Sequence, residues 1–136
     1  MDTNNTENSV ISWNTCFWHF DNRFQMITSY YDSTKVLNHT TSFIVQLDNF
    51  TEDMYLDYNR FCRQYVDYKK GLIPRPQDGR FMYTANMSET NKSTVLFIID
   101  CDENLFSIVT TVDGKTKLEG ELLINLQTMA SLSNVV

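Results

Sequence analysis

The segment that decides the fold runs from Thr51 to Gly71 and reads Thr-Glu-Asp-Met-Tyr-Leu-Asp-Tyr-Asn-Arg-Phe-Cys-Arg-Gln-Tyr-Val-Asp-Tyr-Lys-Lys-Gly. Thr51 can cap a helix N-terminus, the two acidic residues after it suit the positive end of the helix dipole, and Lys69-Lys70-Gly71 is typical of a helix C-terminus. Apolar residues recur between these ends at spacings of three and four: Met54, Tyr55, Tyr58, Phe61, Cys62, Tyr65 and Val66. The pattern predicts one long amphipathic helix, at about residues 51–70, packed on a sheet.

Runs rich in aromatic and β-branched residues flank the helix on both sides. Seven of them are predicted strands: 10–21, 23–31, 41–47, 80–87, 94–101, 105–112 and 115–126. Turn-forming residues separate the runs, among them Asp21-Asn22 and the strongest hairpin signal, Asp113-Gly114. We therefore predict an α+β fold, mainly an antiparallel β-sandwich or sheet of about seven strands with the helix packed on it.

The first predicted strand carries apolar residues on both faces. Phe17 and His19 fall on one face, and Trp18 and Phe20 fall largely on the other, because successive side chains of a strand alternate. We expect both faces of this strand to pack.

The two ends of the chain differ from its middle. Residues 1–9 are polar apart from Met1, which is typical of a disordered tail. Residues 127–136 include Met129 and Leu132, a pattern that favours the start of a helix continuing past Val136. No repeat, linker or low-complexity tract interrupts residues 10–136, which are predicted to form a single globular domain.

Charge and composition narrow the classes of function. A net charge of −6 argues against nucleic acid as a partner, because phosphate binding needs clustered Lys and Arg. The longest apolar run, Val95–Ile99, is too short to span a membrane, and the N-terminus has no signal-peptide pattern. The three widely spaced cysteines suggest reduced thiols. We expect an intracellular, cytoplasmic protein, with cytoskeletal or nuclear locations also open, whose five Asn-x-Ser/Thr sequons are not glycosylated.

Two residue patterns have the spacing of metal ligands. Cys16 and His19 could supply half of a zinc site, completed by His39, Cys62 or Cys101, but residues three apart on a strand point to opposite faces.

The second pattern, Asp100-x-Asp102-x-Asn104, resembles the start of a calcium loop but lacks its glycine and its bidentate Glu. A core cysteine, a hydrogen-bonded histidine and an acidic turn are the preferred interpretations. We predict no catalytic residues, no metal and no cofactor.

The run Phe97-Ile-Ile-Asp-Cys-Asp-Glu-Asn-Leu-Phe-Ser-Ile-Val-Thr110 is similar to a hairpin of the β-sandwich head domains of centriolar cartwheel proteins and their end-joining-repair relatives. The order of three strands, helix and four strands, and the Phe50-Thr-Glu-Asp53 junction, are similar as well. The resemblance implies a dimerising head in which Phe106 inserts into a pocket of a second head. Without the resemblance, Phe106 is more often simply a core strand residue.

Two functions follow as hypotheses. The first is a non-enzymatic protein-interaction or self-assembly domain, forming a homo-oligomer, because aromatic residues and Met are favoured at interface centres. Its predicted contact residues, beside the apolar C-terminal tail, are Phe106, Asn104, Leu105, Tyr30 and Tyr31. The alternative resembles the nuclear transport factor group, with a helix–sheet pocket for a small ligand or partner. The predicted lining of that pocket is Trp13, Trp18, Tyr55 and Phe61, with His19 or Asp57 as its polar group.

Overall fold

A computed structural model of the chain describes residues 10–32, 41–88, 90 and 92–134, apart from the side chains within 10–16, 28–32 and 41–43. The elements in chain order are β1 Val10–Phe20, β2 Arg23–Asp32, β3 Thr41–Leu47, α1 Glu52–Lys69, β4 Arg80–Ser88, β5 Ser93–Asp100, β6 Leu105–Val112, β7 Lys115–Leu123 and α2 Leu126–Met129. β1, β2 and β3 form a three-stranded antiparallel sheet, and β4 to β7 form a four-stranded one. The predicted α+β fold is confirmed, and the predicted tail over 1–9 lies outside the described residues.

Two tight hairpins have the geometry that their sequences predict. Asp21 and Asn22 have φ of 55° and 61°, and Asp113 and Gly114 have φ of 52° and 82°. Positive φ at both central residues characterises the type I′ turn, whose twist matches that of the flanking strands. These two pairs therefore set the registers of β1 on β2 and of β6 on β7 next to each turn, and a bulge between Ile108 and Val109 then shifts the second register.

The long helix α1 begins and ends as its sequence predicts. The Thr51 hydroxyl accepts a hydrogen bond from the Met54 amide at 3.3 Å, and the Lys70 amide donates to the Val66 carbonyl. Five residues of the predicted stripe are buried: Tyr58, Phe61, Cys62, Tyr65 and Val66. Among the described residues, no helix is both long enough and apolar enough to cross a membrane.

The core lies where α1 meets the inner faces of both sheets. Phe24 of β2, Tyr58 of α1 and Phe97 of β5 are all fully buried, and their ring centroids lie 5.0–5.6 Å apart. Burying each such side chain contributes roughly 2–3 kcal/mol. One aromatic cluster thus joins the helix and both sheets.

The expectation that both faces of β1 pack is wrong for the described part of the strand. Phe17 points inward, where its ring stacks on Tyr55 and Tyr58 at 5.8 and 5.6 Å. Trp18 and Phe20 point outward and are 44% and 66% exposed. A sheet has only one face toward its own core, so an apolar residue on the alternate position stays on the surface.

Up to residue 134, the C-terminal segment does not form a continuing helix, and its apolar side chains Met129 and Leu132 are not exposed anchors. α2 has only four residues, and Met129 and Leu132 are fully buried. The Tyr58 hydroxyl donates a hydrogen bond to the Leu132 carbonyl at 2.6 Å, which ties this segment to α1. The predicted strand over 115–126 accordingly ends at Leu123.

Candidate interaction surfaces

The outer face of the three-stranded sheet is rich in exposed apolar side chains. Phe24 and Met26 of β2 point into the core, and the alternate residues in the parts of the three strands whose side chains the structure describes therefore point outward. We call the following residues the aromatic face: Trp18, Phe20, Gln25, Ile27, Ile44 and Gln46.

The aromatic face combines rings, aliphatic groups and amides. Trp18 and Phe20 are neighbours, with ring centroids 6.0 Å apart. Gln25, which pairs with Trp18 across the β1–β2 ladder, donates through Nε2 to Oε1 of Gln46 at 3.5 Å. None of the six side chains is ionisable. Aromatic enrichment with few charges is the composition of protein interface centres.

The outer face of the four-stranded sheet has a different chemistry. In β5, Val95, Phe97 and Ile99 are buried inward, so Leu96 and Ile98 point outward and are half-buried. Pairing across β4, β6 and β7 extends this apolar surface over all four strands. We call the following residues the aliphatic face: Met82, Leu96, Ile98, Leu105, Val109, Leu118 and Leu123.

Charged residues border the aliphatic face. Arg80 and Asp100 pair with each other across β4 and β5, in the same row as Leu105 and Leu123. Glu121 pairs with Ser107 in the adjacent row, so on the edge strand β7 it lies between Leu118 and Leu123. Apolar residues combined with charged groups at the edge are usual in a protein contact surface.

Phe106 is not an exposed anchor, so this expectation from the sequence is wrong. Its relative exposure is 0%, and its ring centroid lies 6.2 Å from that of Phe97. The alternation of β6 decides this, because Leu105 and Phe106 must point to opposite faces. Leu105 belongs to the aliphatic face and is half-buried.

Asn104 has a structural role in the turn between β5 and β6. It takes a left-handed conformation with φ of 55°, which Asn tolerates better than most residues. Its Oδ1 accepts a hydrogen bond from the Tyr65 hydroxyl at 3.0 Å, and its carbonyl accepts one from the Ile124 amide at 2.9 Å. Asn104 therefore holds α1 and the end of β7 together.

The carboxylates of the acidic turn are also engaged within the fold. Oδ1 of Asp100 accepts the amides of Asp102 and Glu103, each at 2.9 Å. Asp102 accepts two hydrogen bonds from the Arg75 guanidinium, at 2.9 and 2.6 Å. These bonds lower the pKa of Asp102. The turn is an acidic structural turn, pinned to the loop that precedes β4.

The remaining predicted contact and ligand residues are dispersed. The backbones of Tyr30 and Tyr31 pair with Trp13 and Ser12 in the β1–β2 ladder, but their side chains lie outside the described part. The side chain of Cys16 and the whole of His39 lie outside it too. Within the described residues, no three His, Cys, Asp or Glu side chains are grouped as metal ligands.

The predicted helix–sheet pocket is not assembled from the predicted lining. Trp18 lies on the outer face, whereas His19 points inward, stacks on Tyr55 at 4.3 Å and donates through Nε2 to the Phe50 carbonyl at 2.9 Å. The Trp13 side chain lies outside the described part. A cleft of about 260 Å³ between α1 and β4 includes Phe61 and Asp57. This cleft lies apart from Trp18.

The aromatic face was not identified from the sequence as a surface. Its signal was the alternation in β1, where Trp18 and Phe20 occupy one set of positions and Phe17 and His19 the other.

Comparisons with protein-family models, with curated proteins and with solved structures returned no match.

Proposed function

We propose that this chain is a non-enzymatic protein-interaction or self-assembly domain whose contact surface includes the aliphatic face. The observation that carries the proposal is the apolar surface extending across all four strands, on the side of the sheet that the core does not use. Monomeric proteins rarely expose a large contiguous apolar patch without a function for it.

Covering the exposed apolar side chains of the aliphatic face would favour the binding of a partner there. Leu118 and Leu123 are 52% and 62% exposed, and Met82 of the opposite edge strand is exposed as well. Covering one such side chain contributes roughly 1 kcal/mol, at about 25 cal/mol per Å² of apolar area removed from water. The bordering Arg80, Asp100 and Glu121 can give a partner its orientation, since charges at a rim mainly affect specificity and association rate.

The chemistry of the interior supports a role in binding over one in catalysis. Every buried side-chain nitrogen or oxygen of the described residues has a hydrogen-bond partner. Burial raises the pKa of the Cys62 thiol to about 12, which leaves it protonated and a poor nucleophile at neutral pH. These groups serve packing.

A dimerising head of a structural, centriole-like scaffold remains one form of this proposal. The buried Phe106 cannot insert into a second head without leaving the core. Such a head would therefore use other residues, and Leu105 is the predicted contact residue that belongs to the aliphatic face.

The test is site-specific photocrosslinking. A photoreactive phenylalanine analogue replaces Leu118, and in a matched control it replaces Leu72, which is 69% exposed in the loop after α1. We expect a discrete crosslinked protein from position 118 in a native extract, and its loss when Leu96→Ser is added. Equal crosslinking from both positions, or none from position 118, would contradict the proposal.

A further inference from the structure

We infer that the aromatic face binds the same face of a second copy of this chain, forming a weak, reversible homodimer. The inference goes beyond the proposed role of the aliphatic face, because it concerns the other sheet and a defined partner. It rests on the charge, the hydrogen-bonding groups and the area of the aromatic face.

Charge is the first argument. Each chain carries a net charge of −6, so two copies repel each other wherever carboxylates would meet. The six residues of the aromatic face are all uncharged. Arg23 and Asp48 adjoin this face at its hairpin end, where Arg23 pairs with Phe20 and Asp48 follows the last residue of β3. Asp21 of the preceding turn adds a second negative charge at this end, so Arg23 of one copy can meet Asp21 or Asp48 of the other.

Self-complementarity is the second argument. An isologous dimer places one patch against itself, so each polar group must find a partner of its own kind. A glutamine amide both donates and accepts. Gln25 Nε2 donates to Oε1 of Gln46, and Gln46 Nε2 donates to Oδ1 of Asp48, but each amide nitrogen has a second hydrogen that can pair with the amide of a second copy. Carboxylates or ammonium groups at these positions could not pair in this way. Trp18 and Phe20 supply the apolar contact area, and Trp is among the commonest energetic anchors of interfaces.

The area of the sheet limits the size of the contact. Strands about 4.8 Å apart with a rise of about 3.3 Å per residue give this three-stranded sheet a footprint of roughly 400 Å². Standard stable interfaces bury roughly 800 Å² per partner. Packing of the two sheets face to face would therefore bury only about half the area per partner of a standard interface, which suits a weak and transient contact.

Sedimentation equilibrium on the full chain, from about 10 μM to 1 mM, tests the inference. We expect the wild type to pass from monomer to dimer over this range. The double variant Trp18→Ser/Phe20→Ser should weaken dimerisation at least tenfold, while Leu118→Ser on the aliphatic face should leave it unchanged. A wild type that stays monomeric at 1 mM, or a double variant that dimerises like wild type, would overturn the inference. Equal loss in both variants would overturn it too.

A second measurement needs no substitution. The side-chain amide signals of Gln25 and Gln46 and the indole signal of Trp18 should shift on dilution in ¹H–¹⁵N NMR spectra, while the Leu118 backbone amide should not. Shifts confined to the four-stranded sheet would overturn the inference. Because crosslinking at position 118 reports on the aliphatic face alone, failure of the dimer and failure of the proposed function are distinguishable.

Discussion

The two sheets of this protein have similar inner faces and different outer faces. Phe24 on the inner face of one sheet and Phe97 on that of the other lie 5.6 Å apart in a single aromatic core. Outside, the three-stranded sheet presents Trp18 and its neutral neighbours, and the four-stranded sheet presents aliphatic residues bordered by charges. A shared core explains the inner similarity. Folding alone does not require the outer difference, and the two separate contacts that we propose would account for it.

The largest effect should come from substitutions on the inner and outer faces of one strand, β6. Phe106→Ala removes a fully buried ring and should lower the free energy of unfolding by about 3–5 kcal/mol. Leu105→Ala, one residue away on the aliphatic face, should cost no more than about 1 kcal/mol. Urea denaturation measures both values. Similar losses would contradict the assignment of these two residues to opposite faces.

The next largest effect should come from alkaline pH, which should lower the free energy of unfolding through groups buried in the core. Burial raises the pKa of Cys62 from 9.0 to about 12, so the unfolded chain releases this proton at lower pH than the folded protein does. The stabilisation is complete below pH 9 and is lost as the pH rises to about 12. Denaturation at a series of pH values should show this decline. Cys62→Ala should make the decline shallower without abolishing it, because burial also raises the pKa of Tyr58, Tyr65 and Tyr83. An unchanged slope in that variant would contradict a contribution from Cys62.

A smaller effect should come from Gly79, which precedes β4 and lies against the contact between Arg75 and Asp102. Gly79 precedes β4 with φ of 77°, and an added Cβ would lie 2.6 Å from Nη2 of Arg75. Gly79→Ala should therefore cost about 1–2 kcal/mol, mostly from the left-handed backbone. Gly114→Ala is the matched control, since it has φ of 82° with no atom near the added Cβ. Thermal unfolding should show the larger loss for Gly79→Ala, and the reverse order would refute a contribution from the Arg75–Asp102 contact.

The smallest effect should be the change in monomer stability when an exposed residue of either outer face is substituted. The comparison of the outer faces depends on this change being small. Trp18→Ser and Leu118→Ser should each change the free energy of unfolding of the monomer by no more than about 0.5–1 kcal/mol, because both side chains are already half in water. Measurement at low protein concentration keeps association out of the result. A loss above about 2 kcal/mol in either variant would mean that its outer face is needed for folding.

Local patterns were sufficient to predict the seven strands and the long helix, but not the end of the last strand or the short helix α2. The stripe from Met54 to Val66 predicted α1, and Asp113-Gly114 predicted a hairpin that the structure confirms. The contact residues were predicted less well. Phe106 was expected at the surface and lies in the core, while Trp18 was expected to pack and lies outside. A period of two tells which residues share a face, but it does not tell which face meets the core.

The sequence by itself determined where the chain forms strands, turns and its long helix, since caps, turn residues and apolar periodicity act over a few residues. Only the tertiary structure decided which face of each sheet is inside, where the C-terminal segment docks and that Trp18 and Phe20 lie exposed together. These outcomes depend on contacts between residues far apart in the chain, such as the Tyr58 hydroxyl with the Leu132 carbonyl. Such contacts form because the helix and two sheets must share one close-packed core, a condition that no local segment specifies.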